Sequence, residues 1–297
     1  MSDVNGALLA EPRRAAGQAD HRLDGLWTVV TGGSKGIGLG IAEGFVAAGA
    51  NVMIVARNAD DLNRAGDALR RRAGADQVVL AARADTSDTD SIEQLFGTIR
   101  AAFPRLDVYV ANAGSGVMRP FLEIPIEEWN QTVALNLTGT FLGCQRAAQA
   151  MLAAGGPADN GPVDNGPADN GPVDGGPVDG GANRAILVVS SIRSLGVRPG
   201  RLAYSATKAA LNQLVRVAAY ELAGHQIRVN ALLPGITATP LALEGNPEVF
   251  AEASASVPLG RAGTARDMAA AAVYLCSPAA RFVTGVNLVV DGGESLW

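Results

Sequence analysis

The sequence predicts an α/β protein built on a doubly wound parallel sheet. From residue 26 onward, short apolar segments rich in β-branched residues alternate with longer segments whose apolar residues recur at helical spacing. This alternation is typical of βαβ units, in which a helix connects two parallel strands by a right-handed crossover. The chain has 297 residues and is 48% hydrophobic, so it can bury the core of one large domain.

Seven of the short apolar segments are predicted as strands, a normal number for such a sheet. They are residues 27–31, 51–56, 77–82, 106–111, 185–190, 227–232 and 286–290. The amphipathic segments predicted as helices between them are residues 37–48, 59–73, 91–103, 127–154 and 203–223. Each of these helices is long enough to form a crossover connection.

Two segments fall outside the alternation. Residues 1–22 mix Ala, Gly, Pro, Arg and Asp without a period, which predicts a flexible N-terminal tail before a domain of residues 23–297. The low-complexity insert at 155–181 contains five copies of a Gly-Pro unit, GPADN, GPVDN or GPVDG, which excludes a helix or strand. We expect a flexible loop without chemistry. A calcium-binding Asp/Gly repeat is the alternative, but that signature has a nine-residue period.

Charge and cysteine content exclude several functional classes. The net charge of -5 leaves no broad basic surface for nucleic acid. Cys144 and Cys276 are far apart and lack CxxC spacing, so we expect neither a disulfide framework nor a metal site, and a reducing cytoplasm fits. Because no apolar run approaches the roughly 20 residues that span a bilayer and the start does not resemble a signal peptide, we expect a cytoplasmic protein without membrane partners.

A glycine-rich turn, TGGSKGIG, follows the first predicted strand and begins a helix at residues 31–38. Gly32, Gly36 and Gly38 let the backbone turn tightly and approach a pyrophosphate, while the first free N–H groups of the helix face the anion. The motif therefore indicates dinucleotide binding, although an ordinary Gly-rich turn has a similar composition.

The spacing TGxxxGxG resembles that of the short-chain dehydrogenase/reductase family. Six further parts of that family's pattern occur in the same order: Asn112-Ala113-Gly114, Asn136, Ser191, Tyr204-Ser205-Ala206-Thr207-Lys208, Pro234-Gly235 and Val290-Asp291-Gly292-Gly293. The resemblance covers about residues 24–293. It implies a Rossmann-like, seven-stranded, single-domain oxidoreductase that uses a nicotinamide cofactor, and a homotetramer or homodimer.

The YxxxK spacing places Tyr204 and Lys208 on one face of a helix. A phenol has a pKa of about 10, but a nearby ammonium and an oxidised nicotinamide both favour the phenolate. We therefore predict Tyr204 as the general acid/base. The resemblance implies that Ser191 hydrogen-bonds the substrate oxygen and that Asn136 holds a water linking Lys208 to solvent. Taken singly, each of the four residues also fits an ordinary structural role.

Charge at the end of the second strand bears on the choice of cofactor. In dinucleotide folds an acid at this position binds the ribose diol, whereas a nearby Arg accommodates a 2′-phosphate. Here Ala56 stands where the acid would be and Arg57 follows it, while Lys35 in the glycine-rich turn is a second cation. This favours NADP(H) over NAD(H). The alternative is that Arg57 begins a solvated helix and Lys35 points to water.

The resemblance implies further cofactor contacts. Asp85 would hydrogen-bond the adenine edge, although it could also cap the helix that follows. Asn112 and Gly114 would line the ribose side and stabilise the sheet, and Ile236 and Thr239 would meet the carboxamide and phosphate end. The complete predicted cofactor set is Gly32, Ser34, Lys35, Gly36, Ile37, Gly38, Arg57, Asp85, Asn112, Gly114, Tyr204, Lys208, Pro234, Gly235, Ile236 and Thr239.

Together these residues predict an NADP(H)-dependent enzyme that interconverts a small-molecule ketone and a secondary alcohol. A Ser/His/Asp hydrolase at Ser191 is disfavoured, because the only histidines are His21 and His225 and no GxSxG motif occurs. A non-catalytic dinucleotide-binding sensor or scaffold is the stronger alternative, which the intact Ser191, Tyr204 and Lys208 argue against.

The substrate is left open by the sequence. Arg193, Arg198 and Arg201 lie between the predicted serine and tyrosine and would attract an anionic or polar substrate, although surface arginines are common. A carrier-bound β-ketoacyl group and a small free ketone are equal alternatives.

Overall fold

The protein is represented by a computed structural model that describes residues 21–116, 118–153, 183–243 and 247–296. Residues 1–20 of the predicted tail and the whole predicted insert at 155–181 lie outside these residues. A seven-stranded sheet, in the order β3-β2-β1-β4-β5-β6-β9, forms the centre of the described part, and a two-stranded β7-β8 ladder accompanies it. The strands are β1 (Trp27–Thr31), β2 (Asn51–Ala56), β3 (Val79–Arg83), β4 (Val108–Ala111), β5 (Arg184–Val189), β6 (Ile227–Pro234), β7 (Thr237–Ala238), β8 (Gly263–Thr264) and β9 (Asn287–Val290).

The helices of the described residues connect these strands. They are α1 (Gly36–Ala47), α2 (Ala59–Arg70), α3 (Thr89–Ala102), α4 (Ile126–Val133), α5 (Gly139–Ala153), α6 (Leu202–Leu222), α7 (Pro240–Leu243), α8 (Pro247–Ala255) and α9 (Ala265–Cys276). Every pairing in the central sheet is parallel. The predicted Rossmann-like, doubly wound, seven-stranded sheet is therefore confirmed.

Two hydrophobic layers cover the sheet because successive side chains of a strand point to opposite faces. In β5, Ile186 and Val188 pack with α3, α5 and α6, whereas Leu187 and Val189 pack with α1, α2 and α9. All six residues of β5 are buried, as expected for a central parallel strand with helices on both faces. This rigid centre holds the loops at the ends of the strands.

The order in which strands are added to the sheet reverses between β1 and β4. β2 and β3 lie on one side of β1, and β4, β5, β6 and β9 lie on the other. In open α/β sheets, ligands bind at the carboxyl ends of the strands beside such a reversal. The segments that follow β1, β4, β5 and β6 all meet at this edge.

The long helix predicted at 127–154 is not continuous. A π-helical turn, Ala134–Thr138, separates α4 from α5 and contains Asn136. At Gly139, which begins α5, a Cβ would lie only 1.8 Å from the Thr86 carbonyl oxygen, so the helix approaches the β3–α3 loop closely. Turns of this kind are frequent at functional sites. Helical periodicity alone did not reveal the extra residue in the turn.

Helix α9 was not assigned from the sequence, although it carries a clear start signal. Thr264 and Asp267 form a reciprocal capping box at its first turn. The helix packs closely against α1 at Gly40, where a Cβ would lie 2.6 Å from that of Ala265. This contact anchors the helix that begins in the glycine-rich turn.

Candidate active site

The glycine-rich turn at residues 31–38 forms a tight bend that leads into α1. Gly32 and Gly36 have positive φ angles of 62° and 59°, which favour glycine. At Gly38 a Cβ would lie 2.2 Å from the Gly32 carbonyl oxygen, so no larger residue fits. The first turn of α1 has no side-chain cap and no acidic residue, and its N–H groups are therefore available to an anion. Ser34 and Ile37 lie half-buried in this turn.

Asn112 ties the end of β4 to this turn. Its Nδ2 donates to the carbonyl oxygens of Thr31 and Gly32, at 2.9 and 3.2 Å, and its backbone N–H donates to Thr31 Oγ1 at 3.0 Å. The side chain therefore holds the glycine-rich turn in shape. Of the two roles expected for Asn112, this geometry corresponds to stabilisation of the sheet.

Ser191, Tyr204 and Lys208 converge from β5 and α6. Ser191 follows the last residues of β5, and its Oγ accepts the backbone N–H of Arg193 at 3.1 Å. Lys208 is buried, its Nζ donates to the Val189 carbonyl oxygen at 2.7 Å, and the same Nζ lies 5.7 Å from the centre of the Tyr204 ring. The structure thus brings the three predicted residues together at the carboxyl edge of the sheet.

Asn136 lies close to the same group, and its side chain forms two hydrogen bonds with the backbone of Ser115. Its Oδ1 accepts the Ser115 N–H at 2.9 Å, and its Nδ2 donates to the Ser115 carbonyl oxygen at 2.8 Å. Gly114 separates Asn136 from Lys208, because a Cβ there would lie 3.2 Å from Asn136 Oδ1 and 3.4 Å from Lys208 Nζ. Gly114 therefore preserves the space beside the ammonium.

The ionisation of Tyr204 and Lys208 is governed mainly by burial. Burial raises the pKa of Tyr204, while the Ser191 hydroxyl and the positive charges of Arg201 and Arg193 act in the opposite direction. Burial lowers the pKa of Lys208 to about 8. From the sequence we expected the Lys208 ammonium to lower the pKa of Tyr204. In the protein without its cofactor, burial has the largest effect on the pKa of Tyr204, and it raises that pKa. The groups that lower it are Ser191, Arg201 and Arg193, not Lys208.

The predicted 2′-phosphate residues lie at the ends of β1 and β2, each beside a carboxylate. Lys35 Nζ lies 2.7 Å from Asp61 Oδ2, and Arg57 Nη1 lies 3.6 Å from Asp85 Oδ2. Both cations are more than half exposed. Sequence reasoning missed Asp61. Its position in the first turn of α2, three residues after the cap Asn58, is typical of an acidic residue at a helix start, and that pattern is visible in the sequence.

Asp85 does not cap α3, which corrects the alternative that we considered for it. The cap is Asp88, whose Oδ1 accepts the Ser91 N–H at 2.8 Å. Asp85 Oδ1 instead accepts the N–H and hydroxyl of Ser87, at 2.9 and 2.6 Å. Its other carboxylate oxygen faces Arg57 at the edge of the site.

The loop after β6 closes the other end of the site. Pro234 ends β6. At Gly235 a Cβ would lie 2.5 Å from that of Asp291, so the segment after β6 and the segment after β9 are in contact there. The side chain of Thr239 reaches the glycine-rich turn, because its Cγ2 lies 3.4 Å from the position of a Cβ at Gly36. The loop therefore bridges the end of β6 and the turn after β1.

Glu294 is a further residue of this region that sequence reasoning missed. Its Oε2 accepts the Ile236 N–H at 2.6 Å, and its Oε1 accepts a short hydrogen bond from Arg193 Nη2. The backbone N–H of Ile236, a predicted cofactor residue, is thus bonded to the C-terminal segment. Glu294 connects this loop to the residues that follow Ser191.

The histidines lie away from Ser191. His21 packs against Tyr274 of α9, with ring centres 6.0 Å apart, and His225 follows the last turn of the 21-residue α6, which has Tyr204 in its first turn. This placement rules out a Ser/His hydrolase site at Ser191. Within the described ranges, no cluster of three or more His, Cys, Asp or Glu side chains is arranged to hold a metal ion.

Comparison with known proteins places this site in a family. Residues 26–158 match the family model described as short chain dehydrogenase, and residues 179–295 match that described as Enoyl-(Acyl carrier protein) reductase. The chain is 35% identical to 3beta-hydroxysteroid dehydrogenase 1 of Eggerthella lenta, over 93% of this chain and 95% of that protein. The chain belongs to the short-chain dehydrogenase/reductase family.

Two further relatives illustrate the range of the family. The chain is 33% identical to the NADP-dependent (R)-specific alcohol dehydrogenase of Lentilactobacillus kefiri, over 92% of this chain and 97% of that protein. A solved 7 alpha-hydroxysteroid dehydrogenase complexed with NADH and 7-oxo glycochenodeoxycholic acid is 31% identical, with a TM-score of 0.78, and covers 92% of this chain and 96% of its own. The protein is therefore an oxidoreductase of this family, and none of its described helices is long and apolar enough to cross a membrane.

Proposed function

We propose that the protein is an NADP(H)-dependent oxidoreductase that interconverts a ketone and a secondary alcohol by hydride transfer. The observation that carries the proposal is the convergence of Ser191, Tyr204 and Lys208 beside the glycine-rich turn, at the carboxyl edge of the sheet. A dinucleotide fits the residues present, because the close contact at Gly38 and the uncapped start of α1 form a cradle for phosphate. When bound there, the nicotinamide would accept or supply the hydride.

In this proposal the chain's own residues handle the proton and the substrate oxygen. Tyr204 donates its phenolic proton to the carbonyl oxygen during reduction and takes it back during oxidation. Ser191 donates a hydrogen bond to the same oxygen and stabilises the charge that develops on it. Because burial raises the pKa of Tyr204, the residue is kept protonated, which suits the direction of reduction.

Lys208 and Asn136 would support this proton transfer. Lys208, with a pKa of about 8, exchanges protons near neutral pH, and its Nζ lies beside the gap that Gly114 keeps open. The side chain of Asn136 positions the Gly114–Ser115 backbone around that gap. A water in the gap would then link Lys208 to solvent, with Asn136 acting through the segment it holds.

Cofactor preference rests on the end of β2. Arg57 is well exposed, its contact with Asp85 is long at 3.6 Å, and Ala56 offers no carboxylate to a ribose diol. A 2′-phosphate would form an ion pair with Arg57 in place of Asp85 and a second ion pair with Lys35. The NADP-dependent alcohol dehydrogenase relative supports this preference, whereas the 7 alpha-hydroxysteroid dehydrogenase structure holds NADH. Asp61 and Asp85 partly offset the two cations and reduce the expected discrimination.

Assembly and location are part of the proposal. The outward faces of α5 and α6 expose Phe141, Val217 and Tyr220, which supports a homotetramer or homodimer built on these helices. Cys144 and Cys276 are both buried free thiols, which fits the reducing cytoplasm. Size-exclusion chromatography with light scattering measures the oligomeric state directly.

The proposed function is tested by binding and turnover on the same preparation. Nicotinamide fluorescence follows titration with NADPH and with NADH, and NADPH oxidation is then measured against a panel of ketones. We expect tighter binding of NADPH and turnover that falls at least about a thousandfold in Tyr204→Phe. Tyr274→Phe is the control, since Tyr274 lies on α9 and packs against His21, away from Ser191 and Lys208. Binding without turnover on every ketone would instead support a sensor or scaffold.

A further inference from the structure

Three arginines lie in the segment between Ser191 and Tyr204, and the structure separates them by their partners. Arg193 is paired with the Glu294 carboxylate. Within the part of the chain that the structure describes, no carboxylate lies within ion-pair distance of Arg198 or Arg201. The positive charge of the segment is therefore only partly balanced by ion pairs within the protein.

Arg201 is the arginine closest to the predicted chemistry. Its Nη1 donates to the Gly116 carbonyl oxygen at 3.1 Å. A Cβ at Gly116 would lie 3.3 Å from that Nη1 and 2.8 Å from Tyr204 Cδ2, so the guanidinium and the phenol ring meet across a residue without a side chain. Arg201 is half-buried at the start of α6, one turn before Tyr204. Its guanidinium consequently borders the space that a substrate of Tyr204 would occupy.

Arg201 has few hydrogen-bond partners within the protein. A guanidinium has five N–H donors, and among the described residues the side chain has one partner, the Gly116 carbonyl. Burial and the like charges of Arg198 and Arg193 all disfavour the charged form of Arg201 and lower its pKa. A half-buried cation with one protein partner and cationic neighbours is stabilised by an anion that binds in a bidentate manner.

We propose that the substrate carries a carboxylate close to the reacting carbonyl and that Arg201 binds this carboxylate. The inference rests on the carbonyl chemistry proposed above and specifies its substrate class. The planar guanidinium matches a carboxylate in shape and hydrogen-bonding pattern.

The test compares keto acids with their uncharged esters. The ratio of kcat/KM for NADPH-dependent reduction is measured for phenylglyoxylate against methyl phenylglyoxylate, and for 3-benzoylpropionate against its methyl ester. The enzymes are wild type, Arg201→Gln, which keeps a donor for Gly116 without the charge, and Arg201→Lys. Arg216→Gln is the control, because Arg216 is exposed on α6.

We expect wild type to prefer at least one acid over its ester. Arg201→Gln should lose about 10- to 100-fold in kcat/KM on that acid and less than about threefold on the ester, with Arg201→Lys between them. Equal losses on acid and ester would show that Arg201 only positions the Gly116 segment, and a wild-type preference for both esters would overturn the inference.

A second readout separates this inference from the proposed function. Phenylacetate, which has no ketone, is titrated calorimetrically into the NADPH-saturated protein. Binding that is present in wild type and about tenfold or more weaker in Arg201→Gln supports the carboxylate site even if no ketone is reduced. Ketone reduction without carboxylate binding in wild type leaves the proposed function in place and overturns the inference about Arg201.

Discussion

Replacing Lys208 by Met removes a buried ammonium and leaves an unbranched apolar side chain that is one atom shorter. The ammonium donates to the Val189 carbonyl oxygen at 2.7 Å and is 4% exposed, and burial lowers its pKa from the ordinary 10.5 to about 8. The folded state therefore holds this proton more weakly than the unfolded chain does. The free energy of unfolding therefore depends on pH, with a slope set by the difference in bound protons between the unfolded and folded states.

The magnitude and sign of this dependence follow from the two pKa values. Each pH unit between about 8 and 10.5 corresponds to about 1.4 kcal/mol, which gives about 3 kcal/mol over the whole window. Below pH 8 both states are protonated, and burial of the charge destabilises the fold by this full amount. Between pH 8 and 10.5 the folded state loses its proton first, so wild-type stability rises relative to Lys208→Met.

Urea unfolding of both proteins between pH 7 and 10.5 measures this difference. The difference cancels most other alkaline effects, and Lys35→Met is the control because Lys35 is more than half exposed. The chain has only two lysines, Lys35 and Lys208, so lysine-selective NMR labelling gives one signal for each. We expect the Lys208 signal to titrate with a midpoint near 8.

A stability difference that stays constant across the window would refute this reasoning. So would a Lys208 signal that titrates above pH 10, because burial would then leave the ammonium unperturbed. Loss of the Val189 hydrogen bond changes the stability of Lys208→Met by a roughly constant amount across the window, because the neutral amine of wild type above pH 8 still has N–H groups to donate to that carbonyl. It therefore cannot imitate the predicted slope.

Three further predictions concern the cofactor site and α9. Gly38→Ala should weaken NADPH binding at least about tenfold, because its Cβ meets the Gly32 carbonyl at 2.2 Å. Fluorescence titration checks this, with Gly97→Ala, where no atom lies within 4 Å, as the control. Arg57→Ala should raise the Kd for NADPH about tenfold and that for NADH less than threefold, and equal changes would argue against a 2′-phosphate contact. Asp267→Asn should destabilise the fold by about 1 kcal/mol at pH 7. Hydrogen bonds from Arg261 and Thr264 hold the pKa of Asp267 well below its ordinary 3.8, so the stabilisation is present above that value and is lost as the pH falls through the lower one. The difference from wild type in urea unfolding should therefore shrink below pH 4, and a gap that widens in acid would contradict the assignment.

Local features of the sequence determined the strands and the motif-bearing turns. All seven predicted strands are present, with ends that differ from the prediction by two residues or fewer. The 3.6-residue period and the YxxxK spacing depend only on neighbours along the chain, and they correctly placed Tyr204 and Lys208 on one side of α6. The glycine pattern likewise predicted a turn whose close contact at Gly38 accepts no side chain.

Contacts between distant segments were decided only by the tertiary structure. Glu294 reaches Arg193 across 101 residues, and no local pattern announces that contact. This ion pair distinguishes Arg193 from Arg201, although the two arginines look equivalent in the sequence. The π turn at Asn136 directly precedes the close approach of α5 to the Thr86 carbonyl, and both involve segments distant in sequence. Periodicity records which residues prefer to be buried, whereas the choice of partner depends on which loops the sheet brings to one edge.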